Sequence, residues 1–228
     1  MILAIDTTSE FGSLALVDES GVVGEMPMRS PDGFSHVLYG YLSTLLQGHR
    51  LTLADITGFA SAAGPGSFTG VRVGLAAIKG LAEAAGRPAV AVSNLQGLAA
   101  FGELPLRATL LDARRGEIFG AVYNSSLEIV QPEVVMKFEA WLESLPAEVE
   151  FLSTEMDRFE ASFASTRFAK APRRNAPRIL AGAIGRIARQ RLQQGETGDP
   201  ALLDANYVRR SDAELFWKEP LTKPAPLS

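Results

Sequence analysis

The run from Ala62 to Gly80, AAGPGSFTGVRVGLAAIKG, constrains the fold more than any other part of the sequence. A short apolar segment, Ile56–Ala62, reads as a strand and leads into the turn Gly64-Pro65-Gly66-Ser67. A helix over Thr69–Ala85 follows, closed by Gly86 and Pro88. Such a turn gathers free backbone N–H groups at the positive end of a helix dipole, which suits an anion. The helix carries Gly70 and Gly74 one turn apart, although each interior glycine costs about 1 kcal/mol relative to alanine. Gly70, Gly74 and Ala77 share one nearly bare face, flanked by Val73, Ile78 and Leu81. That face admits another backbone at close range. Either the chain's own sheet or a helix from another chain fits it.

The usual nucleotide motifs do not match. A Walker loop needs Gly-Lys-Ser/Thr starting five positions after its first glycine, where this chain has Thr69 or Val71. A dinucleotide fingerprint fails because Gly64-Pro65-Gly66 is followed by Ser67, Phe68 and Thr69.

Strands and helices alternate along the rest of the chain, which reads as α/β. MILAID and SLALVD form a hairpin around TTSEFG, with Val22–Met28 as a third strand. Leu38, Tyr41, Leu42, Leu45 and Leu46 have helical spacing and predict a helix over Phe34–Gln47. Ala89–Val92 is a strand, and Ser93 or Asn94 caps a helix ending near Gly102. The pattern then restarts. LAIDTTSEFGSLAL and TLLDARRGEIFGAV share one layout: strand, terminal Asp, tight polar turn, strand. This weak repeat suggests two related halves, 1–104 and 105–228, packed as one body. The second half continues with strands at Leu127–Met136 and Val149–Ser153 and a helix near Phe138–Leu145. A last helix opens at Pro177, a favoured first helical position. The tail after Trp217, with prolines at 220, 224 and 226, is expected to be loosely held.

Composition narrows the chemistry. The chain has no cysteine, which excludes disulfides, thiolate metal sites and a cysteine nucleophile. Its two histidines, His36 and His49, have no metal-binding spacing. Ser35 and His36 are adjacent and point about 100° apart on a helix, so they cannot act as a Ser–His pair. Net charge is −4, yet residues 158–191 hold nine basic side chains against one acid. That segment, including Arg173 and Arg174, is either a solvated face or a contact for a polyanion such as tRNA. MILAIDTTSE has no basic n-region, so no signal peptide is expected, and no apolar run is long enough to span a bilayer. Asp6, Thr7 and Thr8 close the first strand. Asp6 can cap its own turn or orient a phosphate. Asp112, followed by Arg114 and Arg115, holds the matching place in the second half.

The blocks AIDTTSEFGSLAL, GPGSFTGVRVGLAAIKGLA, LLDARRGEIFGAVY and NYVRRSDAE, in this order, resemble the TsaB (YeaZ) family over most of the chain. The resemblance implies an actin-like/Hsp70-like ATPase (ASKHA) fold of two related subdomains, the second shortened. It implies a non-catalytic paralogue of TsaD, which transfers a threonylcarbamoyl group to adenosine 37 of ANN-decoding tRNAs. Family members pair with TsaD through helices, with the ATPase TsaE joining them, and a separate enzyme, TsaC, supplies threonylcarbamoyl-AMP. The paired-histidine metal motif of TsaD is missing here, where AVSNLQGLA stands instead.

In this picture Asp6, Thr7, Thr8, Gly64, Gly66 and Ser67 are vestigial phosphate loops, and no cofactor is tightly bound, though ATP or ADP could lodge at the complex interface. The paralogue would contact His36, Leu42, Gly70, Arg72, Val73, Gly74, Ala77, Ile78 and Leu81. A bulky residue at Gly74 is then expected to abolish pairing and leave the monomer folded. A homodimer of the chain alone and a cytoplasmic location fit the same picture. Two alternatives stand beside it: an independent ATPase or phosphotransferase of the same fold using Asp6 and Asp112, and a glycoprotease-like peptidase.

Overall fold

Two five-stranded sheets follow one another along the chain and repeat a single topology. The structure is a computed structural model that describes residues 1–196 and 198–208. The block NYVRRSDAE beyond Val208 and the proline-bearing tail lie outside the described residues. The first half runs β1 (Ile2–Asp6), β2 (Phe11–Asp18), β3 (Gly21–Arg29), α1 (Leu38–Gly48), β4 (Gly58–Ala62), α2 (Phe68–Ala85), β5 (Ala89–Val92) and α3 (Asn94–Ala99). The second runs β6 (Leu106–Arg114), β7 (Glu117–Asn124), β8 (Ile129–Lys137), α4 (Phe138–Ser144), β9 (Glu150–Ser153), α5 (Glu160–Phe163), β10 (Arg173–Asn175) and α6 (Ala181–Gln193).

The sheet orders are β3-β2-β1-β4-β5 and β8-β7-β6-β9-β10. In each, the first two strands pair antiparallel and the first and fourth pair parallel. The weak sequence repeat is therefore a repeat of structure, and α5, with four residues, is the shortened counterpart of α2. Two mixed sheets with flanking helices fit the α/β, ASKHA-like expectation.

The halves exchange their last helices. α6 packs on the first sheet, where Ile184, Ile187 and Ala188 share a buried cluster with Ile2, Ala4, Ala15 and Val17. α3 packs on the second sheet, where Leu95 and Leu98 join Ala121 and Tyr123 of β7. The boundary at 104/105 separates the sheets, whereas α6 lies after it in sequence and belongs to the first sheet in space. α1 and α2 cover the opposite face of the first sheet through Leu38, Leu42, Leu45, Leu75 and Ile78. A third cluster under the second sheet is aromatic. Phe138, Trp141, Phe151, Phe163 and Phe168 interlock there, four of their pairs edge to face.

Two helix starts differ from the sequence reading. α1 begins at Leu38 because Phe34–Val37 forms a turn that drops Phe34 into the core. α6 begins at Ala181, not Pro177. Ala176 still donates its N–H to Ser153 O at 2.8 Å, so the chain is paired to β9 up to that point. The first helical N–H groups then find partners on other strands. Ala181 donates to Ser13 Oγ at 3.0 Å and Gly182 to Glu25 Oε1 at 2.7 Å. These caps are long-range, and no local signal announces them. β10 and α5 were also not expected. They fill the gap between β9 and α6 in which only basic residues had stood out.

Candidate functional site

A cleft of about 1200 Å³ separates the sheets. Its first wall carries Asp6, Thr8 and the turn Gly64–Ser67; its second carries Asp112, Glu155 and Arg158. Both strand-end aspartates thus face one space, as the repeat implies.

Among the residues read as vestigial phosphate loops, Asp6, Thr8, Gly64 and Ser67 are hydrogen-bonded to one another and to Asn94. Thr8 donates to Asp6 Oδ1 from its N–H at 2.9 Å and from its hydroxyl at 2.6 Å. The Asn94 amide donates to Thr8 Oγ1 at 2.7 Å and accepts the Gly64 N–H through Oδ1 at 2.9 Å. Asn94 N–H donates to Gly64 O at 2.8 Å, and Ser67 N–H donates to Thr8 O at 2.6 Å. A Cβ on Gly66 would lie 2.6 Å from Thr8 O. The room left by that glycine is filled by the chain itself, and the N–H groups of Gly64 and Ser67 are already used. This geometry does not fit a phosphate on those two amides.

The bare helix face is filled in the same way. A Cβ on Gly70 would lie 2.0 Å from Thr7 O, and one on Gly74 would lie 2.7 Å from Thr7 Oγ1. Thr7 Oγ1 in turn donates to Gly70 O at 2.7 Å. The glycines therefore bring α2 against the end of β1, and bulk at Gly74 is expected to strain the monomer itself. Leu42, Ala77 and Ile78 are buried in the same layer. Of the residues expected at a partner surface, His36 and Arg72 are exposed and Val73 and Leu81 half-buried, while Leu42, Gly70, Gly74, Ala77 and Ile78 face inward. The outward face of the pair is made by Tyr39, Gly40, Ser43 and Thr44 of α1 and by Thr69, Arg72, Ala76 and Gly80 of α2. A Cβ on Gly40 or Gly80 would meet nothing within 4 Å.

Burial pushes the Asp6 carboxyl above its ordinary value, and the hydrogen bonds from Thr8 and Asn94 only partly offset this. The folded chain therefore holds this proton to a higher pH than the unfolded chain, whose value is 3.8. Between that pH and the raised folded value, stability falls as pH rises. Asp6→Asn keeps an oxygen for Thr8 and removes the charge. It is expected to raise stability at pH 7, with the gain shrinking towards pH 4. Urea denaturation at the two pH values checks this, and an equal gain at both contradicts it.

Part of the basic segment is matched by acids of the same chain. Arg173 pairs with Glu160 at 3.1 Å and donates to the carbonyls of Phe168 and Ala169. Arg174 bridges Glu150 at 3.0 Å and Glu103 at 2.8 Å. Burial alone raises the Glu150 carboxyl, but the N–H groups of Leu104 and Glu103 and the Arg174 guanidinium outweigh it and leave it below its ordinary value. Arg167 caps α4 through the carbonyls of Leu142 and Leu145. Cations already matched to carboxylates offer a phosphate backbone little net charge.

On the second wall, Asp112 accepts the Arg114 N–H at 2.8 Å and pairs with Arg158 at 3.3 Å. Ser35 and His36 are both exposed, ahead of α1. Among the described residues no group of three His, Asp or Glu side chains is placed to hold a metal ion. No helix among them is long and apolar enough to cross a membrane.

Sequence reasoning missed Asn94 as the hub of the network. It stood out only as a helix cap, and Ser93 takes that role by accepting the Leu95 N–H at 3.1 Å. It also missed Glu133 and Asn206, whose pairing across 73 positions leaves no local trace.

Comparison with known proteins places this geometry. The family model for TsaD, tRNA N6-adenosine threonylcarbamoyltransferase, matches residues 14–193. The tRNA threonylcarbamoyladenosine biosynthesis protein TsaB of Bacillus subtilis is 31% identical, over 96% of this chain and 98% of its own length. TsaB of Escherichia coli is 36% identical over 54% of each chain. Among solved structures, YeaZ from Pseudomonas aeruginosa superposes with a TM-score of 0.74 at 26% identity, covering 90% of this chain and 98% of its own. Two repeated halves around a cleft, the glycine-rich turn before α2 and full-length similarity to TsaB agree: the chain belongs to the TsaB (YeaZ) family and to the biosynthesis of tRNA threonylcarbamoyladenosine.

Proposed function

We propose that this chain is a non-catalytic subunit that pairs with a TsaD-type threonylcarbamoyltransferase and supports its modification of adenosine 37 in ANN-decoding tRNAs. The observation that carries this reading is the closed network of Asp6, Thr8, Gly64 and Asn94. A transfer enzyme needs groups free to meet substrate, whereas Thr8, Gly64 and Asn94 are bonded to one another and to one oxygen of Asp6. No nucleotide is held tightly by the chain alone, and ATP or ADP bound to the assembly would contact it at the interface.

Pairing uses the outer faces of α1 and α2. Gly40, Ser43, Ala76 and Gly80 are small and exposed there, with Tyr39 and Val73 beside them. Small residues on two neighbouring helices let a second helix pair approach closely, and a paralogue with the same fold carries such a pair. In the absence of the paralogue the same face supports a homodimer. A TsaE-type ATPase joins the assembly, tRNA is met through it, and the work is done in the cytoplasm.

Titration of a purified TsaD-type partner into the chain, followed by calorimetry and light scattering, tests the reading. One-to-one association with no heat on adding ATP to the free chain is expected. No association, together with tight ATP binding by the chain alone, would overturn it in favour of an independent ATPase using Asp6 and Asp112.

A further inference from the structure

The chain that follows the Pro200–Leu202 turn crosses the cleft. Leu203 is buried in the core shared by α1, α2 and the first sheet, and Ala205 packs against it. Asn206 then joins both halves. Its backbone N–H donates to Ala63 O, just past β4, at 2.8 Å. Its side-chain N–H donates to Glu133 Oε2 on β8 at 2.5 Å. The other oxygen of Glu133 accepts the Tyr123 hydroxyl of β7 at 2.6 Å. Burial and the Glu133 carboxylate push the Tyr123 phenol well above its ordinary range, so it remains a donor. Tyr207 returns to the first half. Its ring lies 5.7 Å from Phe68, and its hydroxyl accepts from Arg72 Nε at 3.3 Å. The Arg72 guanidinium also sits 3.6 Å over the Phe68 ring.

Two consecutive residues thus tie the sheets together above the glycine-rich turn. The tie to the second sheet is buried more deeply than the tie to α2. Phe68 is 41% and Tyr207 47% exposed, so the clasp lies open on the surface. A cation–π contact and one hydrogen bond at such a site are individually weak and can be exchanged for others.

We propose that Leu203–Val208 is a strap that locks the two sheets across the cleft, clasped by Arg72 and Phe68. A partner docking on the outer face of α2 opens it by drawing those two side chains from Tyr207. The coupling to docking rests on the pairing proposed above; the lock itself does not.

The absence of native cysteine gives a clean test. Glu10→Cys and Asp157→Cys place spin labels at exposed positions, the first on one cleft wall and the second in the Met156–Arg158 turn on the other. Pulsed electron paramagnetic resonance should give one narrow distance distribution for the full chain. Asn206→Ala with Tyr207→Ala is expected to add a longer population, and Arg72→Ala, which alters only an exposed side chain, to add it in part. An unchanged distribution in folded Arg72→Ala and in the double variant would overturn the lock. The TsaD-type partner should produce the same longer population in the unaltered strap. A complex seen by light scattering with the distribution still narrow would overturn the coupling. A partner that does not bind counts against the proposed function, and the strap variants still decide the lock.

Discussion

Gly70→Ala is expected to cost this chain about 3 kcal/mol or more of stability, the upper end of what overpacking a core produces. The added methyl would lie 2.0 Å from Thr7 O, a backbone atom that cannot swing aside. To make room, α2 must lift from β1. That separates Thr7 Oγ1 from Gly70 O and disturbs the Ser67–Thr8 contact next to it. Gly80→Ala is the control. Its Cβ meets nothing within 4 Å, and alanine favours the helix by up to about 1 kcal/mol. Urea denaturation of the two variants should move in opposite directions. A Gly70→Ala protein within about 1 kcal/mol of the parent would show that α2 does not dock on β1 as described.

Ala76→Arg is expected to weaken binding of a TsaD-type partner by about 100-fold or more, equivalent to about 2.7 kcal/mol, while leaving the thermal midpoint of the free chain unchanged. Ala76 is exposed in the middle of α2, one turn beyond Arg72 and one turn before Gly80. Packed helix axes lie about 8–10 Å apart, and small residues set the lower end of that range. An arginine there either holds the helices apart or buries an unpaired charge. The comparison with Gly74 separates two uses of a small residue on one helix. Leucine at Gly74 should fail in folding, whereas arginine at Ala76 should fail only in pairing. Calorimetry on the folded variant decides the matter, and unchanged affinity would remove the outer face of α2 from the interface.

The sequence carried the topology further than the site. Strand-Asp-turn-strand appears twice in it, and both copies became the central hairpins of equivalent sheets. The hydrophobic periodicity of α1 marked its buried face because that signal is local and repeated. The glycines of α2 show the limit. Their spacing demands a close backbone but does not say whose, and only the position of Thr7 shows that it is the chain's own. The start of α6 was misplaced for a related reason. Pro177 is a local signal, while the caps from Ser13 and Glu25 come from 168 and 157 positions away. The nine cations of residues 158–191 formed a visible excess, yet the acids that absorb three of them, Glu103, Glu150 and Glu155, lie outside that window in sequence and inside it in space.

The exchange of α3 and α6 bears on how this protein can come apart. A sheet in a two-layer domain needs cover on both faces, and here one cover of each sheet is made by the other half of the chain. Neither half is therefore a self-sufficient folding unit, despite the symmetry between them. A nascent chain that has emerged only as far as β5 lacks the helix that seals its first sheet, and that sheet stays half-covered until residue 193 has been made. The repeat records two modules, but the energetics are those of one cooperative body. Motion at the cleft must then bend around the shared α3–α6 layer rather than part it.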